Sequence, residues 1–415
     1  MRAITKFRYP KNLDAVEQIR HFNQELDPRR LKLKFAAMRS SEFAFLRGTC
    51  HLFYRNLPGG SVLDQGPLAW ISGDLHLENF GSYKGDNRLT YFDLNDFDEA
   101  CLAPCTWELL RFLSSLFTGA STLNLGEADA LTLSRRFLDA YRAQLTEGKP
   151  RWIERPLATG LVKDLLNSLK IQDRGRFLDT RTRLKSGKRI LRIDGKKAIE
   201  TPDREREQVL AFLRQFAREQ KNREFYRVLD VADRISGLGS LGIKRYVVLV
   251  EGRGSPDGNF LIDIKEARPP NPPTSLPFPQ PGWQDDAERI VTLQRLIQAI
   301  PPDLLAPVRM MDKPFVLKEL QPSEHRVNLL LRDGKIRRLE KVIETMGKLV
   351  AWGQLRAAGW KGAADRDQLM DFGRNDLWTE GLPELAKQRS GLMKKEWKEY
   401  CAAYDDGVFA GESLS

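Results

Sequence analysis

Residues 68–98 read LAWISGDLHLENFGSYKGDNRLTYFDLNDFD, and this stretch decides the fold. A short apolar run leads into a polar loop, and two runs rich in aromatic residues then flank a turn at Lys84 to Asn87. Short apolar and aromatic runs that are separated by Gly, Asp and Asn are typical of strands joined by turns. The stretch therefore predicts a strand, a loop and a β-hairpin.

The loop and the hairpin carry acidic and amide side chains that suit phosphoryl-transfer chemistry. Asp74 and Asn79 stand five residues apart in the loop, and Asp93 follows at the far end of the hairpin. A carboxylate can accept the proton of a hydroxyl nucleophile, and amide and carboxylate oxygens are ligands of Mg²⁺. We predict that Asp74 is catalytic. Asn79 and Asp93 are the predicted metal ligands, with Asp96 as a further ligand and a rival to Asp93.

A glycine-rich segment lies far downstream, where residues 237–242 read GLGSLG. The residues that follow, IKRYVVLV, favour a strand, whereas a dinucleotide-binding turn opens into a helix. A glycine-rich turn between two strands lets the backbone approach phosphate groups closely. The residues of this turn that are predicted to bind a nucleotide are Gly237, Gly239, Ser240 and Gly242, and Lys265 lies on the second strand after the turn.

Together these segments resemble the protein-kinase-like superfamily, and most closely its aminoglycoside and choline kinase branch. DLHLEN looks like the catalytic loop of that superfamily, and Phe92-Asp93 takes the place of the metal-binding aspartate of the branch. Asp96-Phe97-Asp98 offers a rival alignment for that aspartate. The resemblance implies an α+β, two-lobed, protein-kinase-like fold that binds ATP and Mg²⁺.

The resemblance also implies roles for residues outside these motifs. Lys265 is similar to the kinase lysine that contacts the α- and β-phosphates, and an acid from the next helix would pair with it. Glu288 is the candidate partner, and Asp285 and Asp286 are its rivals. An ordinary glutamate in a first helical turn, favoured by the helix dipole, is the alternative for that position. Glu108 resembles the acid that braces the catalytic loop.

Three further residues are predicted to support the site. His76 is expected to pack or to hydrogen-bond within the loop rather than to act as a base. Asp98 stands two residues after Asp96, the last of the predicted metal ligands. Arg47 would brace the loop or bind a phosphate group, and an internal salt bridge is the alternative for its side chain.

A wider set of segments resembles the bacterial family known as domain of unknown function 2252, across about residues 38–355. The chain departs from the family pattern at Glu108, where the family tends to have aspartate. Residues 349–359, LVAWGQLRAAG, also replace a helix that tends to carry an Ala-His-Ala core, so a role for that histidine is not carried over. The similar segments are FAFLRG (43–48), GDLHLENFG (73–81), FDLNDFDE (92–99), WELLR (107–111), GLGSLGIKRY (237–246), IKEARP (264–269) and ERIVTLQR (288–295) with Gln298.

The motifs stand in an order that differs from the order in kinases, where the glycine loop and the lysine come first. Here the glycine loop follows the catalytic loop by more than 140 residues. We predict two lobes joined in permuted order, which a fold tolerates when its original ends lie close together at the surface. The predicted regions are an N-terminal helical segment (1–66), a helical lobe with the catalytic loop and the hairpin (67–222), a β-rich nucleotide-binding lobe (223–338) and a C-terminal helical segment (339–415).

The composition is that of an ordinary globular protein with a basic surface. The 415 residues include 67 Lys and Arg against 56 Asp and Glu, and a net charge of +11 suits an anionic partner such as a nucleotide. No apolar run suits a signal peptide or a membrane span, so we expect a cytoplasmic protein without a membrane partner. The basic stretch 181–197 has no nucleic-acid motif and is interpreted as a hairpin. Cys101 and Cys105 lack a second ligand pair for zinc, which favours buried thiols.

The leading functional hypothesis is transfer of a phosphoryl group from ATP to a hydroxyl, with Mg²⁺ as cofactor. A protein, a sugar, an amino alcohol or an antibiotic would each fit such a fold as acceptor. Two alternatives stay open at this point. One is a nucleotide-binding pseudokinase that acts as a regulatory module, and the other is a nucleotidyltransferase that modifies protein side chains. The carboxylates that catalysis needs are all present, which favours an enzyme.

Overall fold

The protein has a mixed α+β fold, which confirms the predicted class. The computed structural model describes residues 14–58, 62–169, 174–272, 278–321, 325–332 and 334–410. Helices make up both ends of the described chain, and most of the strands lie between residues 182 and 319. Helical regions therefore lie on both sides of the β-rich region.

Several helices begin at residues whose side chains satisfy backbone N–H groups of the first turn. Asp27 accepts the N–H of Arg29 at the start of one helix, and Asp285 accepts the N–H groups of Ala287 and Glu288 at the start of another. The described ranges contain thirteen helices: α1 (Ala15–Asn23), α2 (Pro28–Arg39), α3 (Glu42–Gly48), α4 (Cys50–Arg55), α5 (Cys105–Gly119), α6 (Glu127–Glu147), α7 (Gly160–Leu169), α8 (Arg174–Arg181), α9 (Asp203–Arg218), α10 (Asp286–Ile297), α11 (Ile336–Arg356), α12 (Arg366–Arg374) and α13 (Leu377–Asp405).

The strands in the described ranges all pair antiparallel. They are β1 (Leu68–Ile71), β2 (Phe80–Lys84), β3 (Thr90–Leu94), β4 (Cys101–Pro104), β5 (Thr182–Lys185), β6 (Lys188–Leu191), β7 (Ala198–Ile199), β8 (Val228–Arg234), β9 (Arg245–Val250), β10 (Phe260–Glu266), β11 (Ala306–Met310) and β12 (Lys313–Glu319). The main sheet has the order β11-β12-β10-β9-β8-β7, and three two-stranded pairs join β1 to β4, β2 to β3 and β5 to β6.

The stretch 68–98 folds as a strand, a loop and a hairpin, as predicted. β1 ends at Ile71, the loop occupies residues 72–79, and β2 and β3 form the hairpin. β4 pairs with β1 and leads without a break into α5, so the loop lies against the first turns of a buried helix. The basic stretch 181–197 contains the predicted hairpin, β5–β6.

The main sheet has one charged face because side chains alternate along each strand. In β10, Ile262 and Ile264 pack in an apolar cluster with helix α9, whereas Asp263 and Lys265 lie on the opposite face. The register places Asp263 opposite Lys318 of β12 and Lys265 opposite Arg245 of β9. The face of the sheet away from α9 therefore carries a block of charged side chains.

The N-terminal and C-terminal helices pack against each other. Phe35 of α2 and Phe45 of α3 belong to the same apolar cluster as Met393 and Tyr400 of α13, and the cluster also includes Leu238 of the glycine-rich turn. The largest apolar cluster surrounds β1, α5, α6 and α11. No helix in the described ranges combines the length and the apolar character needed to span a membrane.

Candidate functional site

Two adjacent cavities meet beside the loop and the hairpin. The helix-side cavity has a volume of about 430 Å³ and lies between α1, α2, α4 and the loop that contains Asp74. The sheet-side cavity has a volume of about 560 Å³ and lies over the charged face of the main sheet. A molecule bound in one cavity would adjoin a molecule bound in the other, because both are lined by Arg47, Asp96, Asp98 and Ser240.

Asp74 lines the helix-side cavity, and one of its carboxylate oxygens is held by a buried arginine. Arg111 of α5 donates to Asp74 Oδ1 from Nε at 2.9 Å and from Nη2 at 2.8 Å. Both hydrogen bonds use the same oxygen, so Oδ2 has no arginine contact. Gly73 has φ +85°, and a Cβ there would overlap the carbonyl group of Glu99, so the chain can reach Asp74 in this way only through glycine. Arg111 is a site residue to which the sequence motifs assigned no role.

Two of the predicted supporting residues hold this loop in place. Glu108 Oε1 accepts the N–H and the hydroxyl of Ser72, each at 2.6 Å, and Oε2 accepts from Gln354 Nε2 at 3.1 Å. His76 is buried, and its Nδ1 accepts the N–H of Glu78 at 3.1 Å. Burial lowers the pKa of His76 well below its ordinary value, so the imidazole is neutral. These contacts fix the loop on both sides of Asp74.

Arg47 forms the internal salt bridge that was considered for it. Its Nη1 lies 2.7 Å from Glu78 Oε2, and Arg326 pairs with the same carboxylate oxygen. Because Arg47 lines both cavities, this salt bridge also ties α3 to the boundary between them.

Asp96 and Asp98 form the boundary between the cavities, and Lys265 reaches them from the sheet. Lys265 Nζ forms an ion pair with Asp98 Oδ2, and Asp96 Oδ1 accepts the N–H of Asp98 at 3.3 Å. Burial raises the pKa of Asp98. Burial acts in the same direction on Asp96, but the nearby charge of Lys265 and the hydrogen bond from Asp98 outweigh it and lower the Asp96 pKa. The two motifs, far apart in the sequence, thus meet at one point.

The structure does not bring Asn79 and Asp93 to this boundary, and neither lines the helix-side or the sheet-side cavity. Asn79 Nδ2 donates to the carbonyl oxygen of Asp74 and so closes the loop. Asp93 is buried, and its oxygens accept from the N–H groups of Leu94 (2.9 Å) and Ala299 (3.3 Å) and from Arg356 (3.3 Å). Of the predicted metal ligands, only Asp96 lies at the cavities.

Glu288 is not the partner of Lys265 in this structure. Its Oε2 accepts the N–H of Gln284 at 2.6 Å, which ties the carboxylate to the start of its own helix, as expected of an ordinary first-turn glutamate. Asp285 caps the same helix. The side of α10 that lines the sheet-side cavity instead carries Gln294, together with Ile290 and Gln298.

The glycine-rich turn runs between the two cavities. Gly237 lines the sheet-side cavity, Gly239 lines the helix-side cavity, and Ser240 lines both. Gly242 lines neither, but it has φ +105° and its backbone passes close to Leu26, which a side chain would not permit. The turn connects β8 to β9, as the strand-like residues after it predicted.

The sheet-side cavity is strongly cationic. Asp263 is buried beneath it and pairs with Arg245, at 2.6 Å, and with Arg234, also at 2.6 Å. Burial raises the pKa of Asp263, but the two arginines outweigh burial and hold that pKa well below its ordinary value. Among the described residues, seven lysines and arginines line this cavity against three aspartates: Arg47, Arg181, Arg234, Arg245, Lys265, Lys318 and Arg326 against Asp96, Asp98 and Asp263. Such a surface suits a polyphosphate.

Residues 26–403 match the model of a protein family described as "uncharacterized protein conserved in bacteria (DUF2252)". The chain belongs to this family. The match covers the loop, the hairpin, the glycine-rich turn and all the residues that line the sheet-side cavity. No curated protein and no solved structure matches the chain.

In this family member, the helix-side cavity contains residues that the sequence motifs did not reveal. Lys34 of α2 and His51 of α4 line it, and Glu99 lies on the opposite wall beside Asp98. Burial lowers the pKa of Lys34 to about 8, and burial raises the pKa of Glu99 to about 8. No local pattern marked these residues, because α1, α2 and α4 reach the site only through tertiary packing.

The donor set at the boundary fits Mg²⁺ better than it fits a metal held by protein alone. No group of three or more His, Cys, Asp or Glu in the described ranges is arranged to hold a metal ion. Mg²⁺, however, is commonly bound by one or two carboxylates together with substrate phosphates, and Asp96 and Asp98 supply two carboxylates beside a cationic cavity. Cys101 and Cys105 are buried free thiols, and burial raises the pKa of both.

Proposed function

We propose that this protein transfers a phosphoryl group from ATP to a hydroxyl acceptor, with Mg²⁺ as cofactor. One observation carries the proposal: a cationic cavity and a cavity that contains Asp74 meet at Asp96 and Asp98. Phosphoryl transfer needs a polyphosphate and a hydroxyl held side by side, and catalysis then depends mainly on positioning and charge stabilisation.

The fold that we propose is two-lobed and protein-kinase-like, with its motifs in permuted order. The main sheet would be the nucleotide lobe, because it supplies the glycine-rich turn and Lys265. The helical lobe would supply Asp74 and the boundary aspartates. The packing of α13 against the N-terminal helices is compatible with permutation, because the new ends of a permuted chain come from a cut between neighbouring segments of the original fold.

In this proposal the sheet-side cavity holds the nucleotide. Its phosphates would lie against Lys265, Lys318 and Arg245, which supply charge-assisted hydrogen bonds. The turn at Gly237 and Ser240 would close over them, because its small side chains permit close approach of the backbone.

The hydroxyl acceptor would lie in the helix-side cavity. Its oxygen would form a bond to the γ-phosphorus while the bond from that phosphorus to the β,γ-bridging oxygen breaks, and ADP would leave with that electron pair. Asp74 Oδ2 would take the hydroxyl proton, while Arg111 holds Oδ1 and fixes the orientation of the carboxylate.

Asp96 and Asp98 would hold the metal in place of the predicted Asn79 and Asp93. A bound Mg²⁺ supplies positive charge that neutralises phosphate oxygens. Lys265 pairs with Asp98, so the lysine would lie beside both the metal and the phosphates.

The first test measures thermal stabilisation by ATP with Mg²⁺ for the wild type and for Lys265→Ala and Asp98→Ala. Ligand at ~100 times its dissociation constant stabilises a folded protein by about 2.7 kcal/mol, so the wild type should show a clear Mg²⁺-dependent shift. Both variants should lose most of it. Lys185→Ala, which removes an exposed lysine of the β5–β6 hairpin, should keep it.

Mass spectrometry of incubated acceptor mixtures then identifies the group that is transferred. A gain of a phosphoryl group supports the proposal, whereas a gain of a nucleotidyl group would replace it with the transferase alternative. Stabilisation by nucleotide without any product would favour the pseudokinase alternative, and the absence of stabilisation by every nucleotide would overturn nucleotide binding itself.

A further inference from the structure

The helix-side cavity has two walls with different electrostatic character. On the wall formed by the loop, the acids have partners: Asp74 pairs with Arg111, and Asp98 pairs with Lys265. Glu266 accepts from Lys313 at 3.0 Å, and Glu99 accepts the N–H of Asn271. The opposite wall, formed by α1, α2 and α4, contains two buried polar groups that form no ion pair within the described ranges, although Glu99 acts electrostatically on one of them, Lys34, across the cavity.

Lys34 is the first of these groups. Its side chain is 2% exposed, and its Nζ donates to the amide oxygen of Asn23 at 2.7 Å, which is a neutral partner. Its ammonium group also lies 5.5 Å from the ring centre of Phe22. Within the described ranges, no carboxylate lies within ion-pair distance of Lys34. Burying an ammonium group without an ion-pair partner costs folding free energy. An anion bound beside Lys34 would offset that cost.

His51 is the second group, and it is 9% exposed. Its ring stacks on Phe22 with centres 3.9 Å apart and an angle of 7° between the planes. Neither Nδ1 nor Nε2 has a hydrogen-bond partner among the residues that the structure describes. Phe22 thus lies next to both Lys34 and His51, and all three line the same cavity.

We propose that the acceptor carries an anionic oxygen group, a carboxylate or a phosphate ester, in addition to its hydroxyl, and that Lys34 and His51 bind this group. This inference rests on the proposed function, since it identifies the second substrate of the same site. The ammonium group of Lys34 supplies the counter-charge, and the imidazole N–H of His51 supplies a hydrogen bond. The anionic group is thereby held on the wall opposite Asp74, and the hydroxyl is left to Asp74.

The test uses three small compounds that differ in one group, and it uses the full chain without ATP. Binding of glycerol 3-phosphate, of glycerate and of glycerol is measured by calorimetry. We expect at least one of the two anions to bind about tenfold or more tightly than glycerol, which is the effect of one charge-assisted contact. Preference for glycerol 3-phosphate indicates a phosphate ester, and preference for glycerate indicates a carboxylate. Equal binding of all three compounds, or no binding of either anion, overturns the proposal.

Two variants assign the effect to this wall. His51→Phe keeps the stack on Phe22 and removes two buried nitrogen atoms without partners, so it should fold at least as stably as the wild type. It should nevertheless weaken binding of the preferred anion by about tenfold. Lys34→Met should weaken binding further, but it leaves the amide oxygen of Asn23 without its donor, so His51→Phe is the decisive variant. Unchanged anion affinity in His51→Phe would overturn the assignment.

A matched control separates this inference from the proposed function. Lys318→Met removes a lysine from the sheet-side cavity, so it should weaken stabilisation by ATP and Mg²⁺ and leave anion affinity unchanged. His51→Phe should show the reverse pattern. If ATP and Mg²⁺ stabilise no form of the protein while the anion still binds through His51, the proposed function fails and the anion site stands.

Discussion

The two cavities differ in how their buried charges are balanced. Beneath the sheet-side cavity, Asp263 pairs with both Arg234 and Arg245, so internal ion pairs fix these two arginines before any ligand arrives, although the cavity keeps a net positive charge. On the helical wall of the other cavity, Lys34 and His51 form no ion pair in the described ranges, and the charge of Glu99 acts on Lys34 only across the cavity. A site with internal ion pairs is preorganised, whereas a site with uncompensated groups gains its balance from the ligand.

This difference suits two kinds of ligand. A polyphosphate carries several charges and binds many proteins in a similar way, so a preformed cationic surface serves it. An acceptor must be distinguished from similar molecules. A molecule that lacks the matching group leaves buried polar groups of the site without partners, and it therefore binds more weakly. We therefore expect substitutions at the sheet-side cavity to change stability and nucleotide binding. Substitutions at the helix-side cavity should change acceptor binding and turnover.

Asp74→Asn should produce the largest effect, on turnover alone. The variant keeps a carbonyl oxygen for Arg111 but cannot take a proton from the acceptor, so phosphoryl transfer should fall by about 10²–10⁴-fold. Thermal stabilisation by ATP and Mg²⁺ should persist, which also shows that the variant is folded. Asp86→Asn makes the same chemical change on an exposed hairpin turn and should leave turnover unchanged. Wild-type turnover in Asp74→Asn would remove this residue from the mechanism.

Asp263→Asn should produce the largest loss of stability. Asp263 is buried, and the substitution removes the negative charge that pairs with Arg234 and Arg245. Breaking a buried ion pair lowers the free energy of unfolding by about 3–5 kcal/mol. Urea unfolding measures the change in the free energy of unfolding. Asp257→Asn is the matched control, because Asp257 also pairs with an arginine but its side chain is 76% exposed, and it should cost less than about 1 kcal/mol. Equal costs for the two variants would contradict the preorganised character of the sheet side.

Glu99→Gln should change how stability depends on pH. Burial raises the pKa of Glu99 from 4.5 to about 8, so between these values the folded state binds a proton that the unfolded state has lost. This group therefore makes the wild type less stable as pH rises from 4.5 to 8. The variant cannot ionise, so its free energy of unfolding should rise relative to that of the wild type across this window, by a few kcal/mol at most.

Urea unfolding at pH 5 and at pH 8 measures this difference. Glu380→Gln, at an exposed position of α13, is the control and should change the free energy of unfolding equally at both pH values. A constant difference between Glu99→Gln and the wild type at the two pH values would show that Glu99 ionises normally. The acidic wall of the helix-side cavity would then carry one more negative charge near neutral pH than it does with a protonated Glu99.

Local sequence was sufficient to predict the parts of the site that a single segment builds. The strand, loop and hairpin of 68–98 and the glycine turn of 237–242 each follow from neighbouring residues, and the alternation along β10 places Lys265 on the charged face. The resemblance to the DUF2252 family, which rests on short segments, is confirmed. The short strands β7 and β11 had no such pattern. β7 pairs with β8, so the main sheet extends beyond the predicted boundary at residue 223.

Long-range packing decided the parts that sequence did not predict. Asp93 belongs to a strand whose register directs it toward Ala299 and Arg356, more than 200 residues away, and away from the cavities. Lys34 and His51 join the site because α2 and α4 pack beside the loop, which no spacing between them indicates. The direction of a side chain depends on the register and on tertiary neighbours, so motif spacing alone cannot distinguish Asp93 from Asp96.

The smallest effect is expected from Glu288→Ala, and it tests which acid serves Lys265. Glu288 makes one hydrogen bond at the start of α10, to the N–H of Gln284, so its loss should cost about 1 kcal/mol, as for other caps. Stabilisation by ATP and Mg²⁺ should be unchanged, whereas Asp98→Ala should remove most of it, because Asp98 is the acid that pairs with Lys265. If Glu288→Ala abolishes the nucleotide effect instead, α10 must move toward Lys265 when nucleotide binds. The sheet side would then be assembled by its ligand, and the contrast between the two cavities would disappear.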